Sequence, residues 1–268
     1  MGEGPDVLML HGAGASAHSF HRLAPLLQGY RLIMPDLPGQ GFTRAGGLLR
    51  LGLDAMADDL TALCADQGWH PRVIIGHSAG AAIALRLTEI LPKAPQAVIG
   101  VNAALGPFDG FAGWLFPKLA RAMSASPFVA AILTRLSAKR GQVESLLAAT
   151  GSNLDAQAVT LYQRLVRDPA HVEGTLGMMA QWQLEPLIER FPLIEVPCLL
   201  LASTGDRAVP PKVSQRAARV IPQASYAEIA AFGHLVHEEA PALVADPVLA
   251  FLRCSLGAEP VLADRACP

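Results

Sequence analysis

Short apolar runs recur along the chain, and each closes in a turn built from glycine or proline. Val7 to Leu10 leads into His11-Gly12-Ala13-Gly14, and Arg31 to Met34 stops at Pro35-Asp36-Leu37-Pro38-Gly39. Brief apolar stretches bounded in this way read as buried strands. Val73 to Ile75, Ala97 to Val101, Pro197 to Ser203 and Ala224 to Ile229 repeat the pattern. Helical spacing fills the gaps between them. A helix is expected from about His18 to Leu27. Another is expected over Asp54 to Asp66, with Met56, Leu60, Leu63 and Cys64 on one face and Asp54 as N-cap. A third, rich in Ala, Leu and Ile, runs to about Leu91. Buried strands that alternate with helices need parallel crossovers, so the expected fold class is α/β, a mostly parallel doubly wound sheet covered on both faces.

The alternation stops at Leu105 and resumes near Ile194. The stretch between shows only helical patterns, broken by Pro107, Pro117, Pro127, Gly141, Gly151, Pro169 and Gly174. Residues 105–194 are therefore expected to form a helical cap inserted into a core made of 1–104 and 195–268. Within the cap, Gly110 to Val143 carries Lys118, Arg121, Arg135, Lys139 and Arg140 and no acidic residue. That combination suits either a solvated helix face or peripheral contact with a membrane surface or an acidic ligand. From about Ser255 the chain is expected to be a loose tail.

Composition narrows the function classes. Of 268 residues, 51% are apolar and 16% charged, against roughly a quarter charged in an average soluble domain. The chain is therefore not disordered. A net charge of −2 provides no overall positive field for a nucleic-acid backbone. Mean hydropathy is high at +0.34, yet no apolar stretch approaches the roughly 18 to 20 residues of a membrane-spanning helix. The excess apolar content must sit in core, pocket or surface. The first ten residues do not read as a secretory signal. Cys64, Cys198, Cys254 and Cys267 show neither pairing nor metal-ligand spacing, so free thiols, a reducing cytoplasmic setting and no metal centre are expected.

The chemistry is concentrated at Gly76-His77-Ser78-Ala79-Gly80, a G-x-S-x-G pattern between a β-branched run and an Ala-rich helix. Such a strand, sharp turn and helix make a nucleophile elbow. The glycines allow strand and helix to approach, and the helix N-terminus aims Ala79 N–H at a developing oxyanion. A serine hydroxyl needs a base and an orienting carboxylate, which in this kind of sheet follow in the order acid, then histidine. Asp206 follows the strand ending at Ser203, and His234 follows the next strand in Phe232-Gly233-His234. His237 is a rival base and Asp109 a rival acid. Asp36 and His11 read as loop braces. The loop after the first strand offers Ala13 N–H as second oxyanion donor. There is neither a P-loop nor a dinucleotide fingerprint, so no cofactor is expected.

With these residues in place the chain resembles an α/β-hydrolase over nearly its full length. More narrowly, five segments resemble the BchO group, magnesium-chelatase accessory proteins of bacteriochlorophyll biosynthesis. They are His11 to Ser19, Pro35 to Thr43, Gly76 to Ala82, Met178-Met179-Ala180-Gln181-Trp182 and Gly233 to Glu239. The resemblance implies a tetrapyrrole-like or other small apolar ligand and magnesium chelatase as a partner. Phe111, Trp114, Met178, Met179 and Trp182 become pocket candidates. The residues themselves imply an acyl-transfer hydrolase, so a non-catalytic tetrapyrrole-binding protein, a general carboxylesterase and a C–C bond hydrolase all stay open. Gln40 stands where the relatives usually carry histidine, a change expected to remove one polar side chain near the pocket mouth. Such hydrolases also carry an antiparallel strand pair before the first buried strand; its absence here predicts an exposed sheet edge.

Overall fold

The computed structural model describes residues 1–106 and 140–257. Six parallel strands form one sheet: β1 (Asp6–Leu10), β2 (Arg31–Ile33), β3 (Val73–His77), β4 (Ala97–Val101), β5 (Cys198–Ser203) and β6 (Ala224–Ile229), in the order β2-β1-β3-β4-β5-β6. The order reverses after β2, and each strand's C-terminal end opens on the same edge. Reactive groups gather at that edge in such sheets.

Alternate residues of the central strands go to opposite faces, and both faces are buried. Leu8, Ile74, Val98 and Leu200 pack with α1 (Leu53–Asp66) and α2 (Ala79–Ile90). Val7, Val73, Ile99 and Leu201 pack on the other side with Phe20, Leu23 and the final helix (Pro241–Leu256). The strands therefore read as continuous apolar runs rather than alternating ones. Between β4 and β5 the described residues are helical: α3 (Arg140–Ala149), α4 (Ala156–Val166), α5 (Pro169–Gln181) and α6 (Glu185–Arg190). α7 (Lys212–Val220), α8 (Val236–Glu239) and α9 (Pro241–Leu256) follow among the described residues.

Four expectations need correction. The helix expected from His18 to Leu27 is two 3-10 turns, Ala17–Phe20 and Ala24–Leu26. Pro25 lacks an amide hydrogen, and its ring opposes a continuous helix there. Asp54 is not an N-cap: α1 begins at Leu53 after Gly52, and Asp54 instead pairs with Arg86 at 2.7 Å. The outer edge of β2 is not bare, because Met1 N–H and C=O bond Leu32 O and N, both at 2.8 Å. Unpaired strand groups take whatever partner lies in reach. Finally, Cys64 and Cys198 are buried free thiols, but Cys254 is disulfide-bonded. It is exposed near the end of α9. That helix continues to Leu256, just past the residue where a loose tail was expected.

Candidate active site

Ser78 sits between β3 and α2 with φ 51° and ψ −118°. A non-glycine residue is rarely held there, and the cost, about 1–3 kcal/mol, must be met by surrounding structure. That structure is visible. Ser78 N–H donates to Val101 O at 3.0 Å, and Ser78 O accepts from Ala81 N–H and Ala104 N–H, both at 3.1 Å. The flanking glycines make the turn possible. A Cβ on Gly76 would lie 2.4 Å from Ala81 backbone atoms, and one on Gly80 would lie 2.2 Å from Leu10 O.

At the same sheet edge, Asp206 follows β5 and His234 follows β6. His234 Nδ1 and Asp206 Oδ2 are 2.7 Å apart. Asp206 Oδ1 accepts from Ala208 N–H and Val209 N–H, each at 2.8 Å. A carboxylate fixed by two backbone donors holds its other oxygen for the imidazole. His234 Nδ1–H then donates to it, leaving Nε2 as the basic nitrogen. Both residues are largely buried. His237, the rival base, is enclosed without a hydrogen-bond partner on either ring nitrogen, and burial pushes its pKa down to about 3. The rival acid Asp109 lies outside the described residues.

The loop after β1 closes on the elbow. A Cβ on Gly12 would lie 2.9 Å from both Ser78 Cβ and His77 Nδ1. Ala79 N–H, the first of α2, and Ala13 N–H have no acceptor among the described residues, as expected for Ala79 at a helix start. Around them stand the braces. His11 Nε2 accepts from Leu37 N–H at 2.9 Å, and burial pulls the imidazole pKa down to about 4, so it is neutral. Asp36 accepts from Ala17 N–H and Phe42 N–H.

Contacts that the sequence did not reveal hold this loop to α5 and the base loop to the end of α3. Gln40 is fully buried rather than at a mouth. Its Oε1 accepts from Gly14 N–H at 2.7 Å and its Nε2 donates to Met178 Sδ at 3.1 Å. His171 accepts from Gly41 N–H at 3.0 Å and lies 3.3 Å from Gly14 O, joining three segments. Thr150, at the end of α3, offers one carbonyl to both Arg207 N–H and His234 N–H. Ser152 Oγ accepts from Leu235 N–H. Partners so distant in sequence leave no local signature.

Of the pocket candidates, Met178 is core and fully buried, while Met179 and Trp182 are half-buried, Trp182 against the main core. Phe111 and Trp114 lie outside the described residues, as does most of the basic stretch 110–143. A described cavity of about 690 Å³ opens elsewhere, between Phe42, Leu48 and Leu51 on one side and His171, Glu173 and Gly177 on the other. Neither Ser78, Asp206 nor His234 lines it. Among the described residues no group of three His, Cys, Asp or Glu is placed to hold a metal ion. Nor is any described helix long and apolar enough to cross a membrane.

The model of the α/β-hydrolase fold family matches residues 5–241. The chain belongs to this family. A relative of the chain is the magnesium-chelatase 30 kDa subunit of Rhodobacter capsulatus, 49% identical over 239 residues, 89% of this chain and 83% of that protein. This meets the narrower resemblance drawn from the five segments. Solved structures match the chain over most of its length. A thermophilic esterase from Thermogutta terrifontis has a TM-score of 0.74 at 24% identity, covering 95% of this chain and 92% of its own. An α/β-hydrolase fold protein from Burkholderia ambifaria has 0.78 at 22% identity, covering 93% and 91%. At such identities these two define the fold alone.

Proposed function

We propose that this α/β-hydrolase is a serine hydrolase acting on an apolar ester-like or tetrapyrrole-related substrate, working alongside magnesium chelatase. The observation that carries the chemistry is the His234–Asp206 hydrogen bond at the sheet edge where Ser78 is held in its strained turn. In this reading Ser78 Oγ attacks the carbonyl carbon, and His234 Nε2 takes its proton and returns it to the leaving oxygen. Asp206 keeps the imidazole in the required tautomer. Ala13 and Ala79 N–H bind the oxyanion, and water then releases the acid by the same steps in reverse roles. The partner comes from the similarity to the magnesium-chelatase subunit, and the tetrapyrrole from the sequence resemblance to the BchO group.

A tagged fluorophosphonate tests the chemistry. Wild type should label and Ser78→Ala should not; folded wild type that stays unlabelled overturns it. The second reading, a non-catalytic tetrapyrrole-binding subunit, is favoured by that relative's being a subunit by name. It predicts saturable protoporphyrin binding that survives Ser78→Ala with no labelling in either protein. Co-purification of magnesium chelatase subunits with the tagged chain tests the partner.

A further inference from the structure

His234 is usually considered through its ring, but its backbone carbonyl is the more heavily held group. Two side chains, one on β3 and one just past β4, converge on it. Asn102 Nδ2 donates at 2.8 Å and His77 Nε2 at 2.9 Å. Asn102, just past β4, is itself locked: Nδ2 also reaches Gly233 O at 3.1 Å and Ser203 Oγ at 3.2 Å, and Oδ1 accepts from Ser203 N–H at 2.7 Å. Its φ of 46° lies in the left-handed region, where asparagine is among the few side chains tolerated. His77 is the residue before Ser78. A donor at Nε2 requires the hydrogen there, so Nδ1 carries the lone pair, and Nδ1 is buried without a partner. Burial, with the His237 ring at 4.2 Å and the His234 ring at 4.7 Å, pulls the His77 imidazole well below its ordinary range. The Nε2 hydrogen is present in this tautomer and in the protonated ring alike.

We propose that His77 and Asn102 are positioning residues that set the base relative to the nucleophile by clamping the His234 carbonyl. The inference rests on the reading of Ser78 and His234 as nucleophile and base. Its physical basis is short linkage. From Ser78 the path to the base loop is one peptide bond, one imidazole and one hydrogen bond, all inside packed core. Asn102 ties the same carbonyl to β4 and β5, so the loop can neither slide along the sheet edge nor rotate about it. A geometric error of about 1 Å in a reacting group can cost on the order of 100-fold in rate. The variable position of the elbow motif is in this chain the hydrogen-bonding link between the two halves of the site.

The test compares His77→Leu, which removes the donor, with His77→Gln, which keeps an N–H near the same reach. Asn102→Asp keeps the shape and the acceptor for Ser203 N–H but loses the donor. Readouts are the rate of phosphonylation by a fluorophosphonate against pH, and the low-field Nδ1–H resonance of His234 seen by NMR. His77→Leu and Asn102→Asp should label about 10- to 100-fold more slowly, with a displaced pH midpoint and a shifted or broadened resonance. His77→Gln should return to within about threefold of wild type. Wild-type rates and midpoints in both donor-less variants overturn the clamp. So does equal slowing in His77→Leu and His77→Gln with the midpoint and resonance unchanged, which a structural role alone would give. If folded wild type never labels, the hydrolase reading fails instead. The resonance then still judges the clamp, which is overturned if the signal is the same in all variants.

Discussion

Ser78 carries a backbone conformation that its side chain disfavours, a cost that the proposed reading explains by the turn's aiming the hydroxyl. Ser78→Gly should therefore raise stability by about 1 kcal/mol, the strain being larger than the extra chain entropy of glycine, while abolishing labelling. Urea denaturation of the two proteins checks this. Gly80 makes the opposite case. A Cβ there would meet Leu10 O at 2.2 Å, a backbone atom that cannot rotate away, so Gly80→Ala should cost about 3 kcal/mol. At this scale the sequence was highly legible. Motif residues such as Gly76, Ser78 and Gly80 are fixed by local geometry, and local geometry is written in consecutive residues. Gln40 was misread because its partners, Gly14 and Met178, are 26 and 138 residues away.

Two of the helices between β4 and β5 are tied to the rest of the fold, one by a buried polar contact and one by a close backbone approach. Tyr162 on α4 donates to Glu238 on α8 at 2.6 Å. Burial pushes the Glu238 carboxyl up to about 8 from its ordinary 4.5, against the pull of Tyr162 and Arg22 and with Glu239, Asp155 and His237 nearby. The folded protein thus keeps a proton that the unfolded chain releases. This group's contribution falls as pH rises from about 4.5 through about 8. Glu238→Gln should flatten that decline, and urea midpoints measured on both proteins between those limits will show it. Half-buried His18 and buried His11, pulled down to about 4 by desolvation, act in the other direction. Their stability is lost as pH falls from 6.5 towards 4. The other tie is α5. A Cβ on Gly174 would sit 1.8 Å from Gly39 O, so Gly174→Ala should part α5 from the loop after β2 and speed limited proteolysis there. Strands were legible as elements because burial on both faces leaves unbroken apolar runs. The 3-10 turns before β2 were not, since Pro25 outweighed an otherwise helical pattern.

Over the whole molecule, the proposed pairing of hydrolase chemistry with a tetrapyrrole-related substrate is tested by whether a tetrapyrrole binds and where it sits. Protoporphyrin held above Ser78 should slow fluorophosphonate labelling in proportion to its occupancy. If it instead fills the cavity of about 690 Å³ between Phe42 and α5, which Ser78 does not line, binding should leave the labelling rate unchanged. Absorbance titration run alongside the labelling assay separates the two. Sequence alone determined the fold class, the strand-by-strand alternation and the elbow, because apolar runs, turn residues and a five-residue motif act over short stretches of chain. It also proposed Asp206 and His234 from their places after strands. Only the tertiary structure decided that these two share a hydrogen bond, that His237 is core, and that one carbonyl of His234 is held from β3 and from beyond β4 at once. Those facts depend on segments up to 157 residues apart meeting at one sheet edge, and chain order does not record which side chains meet there.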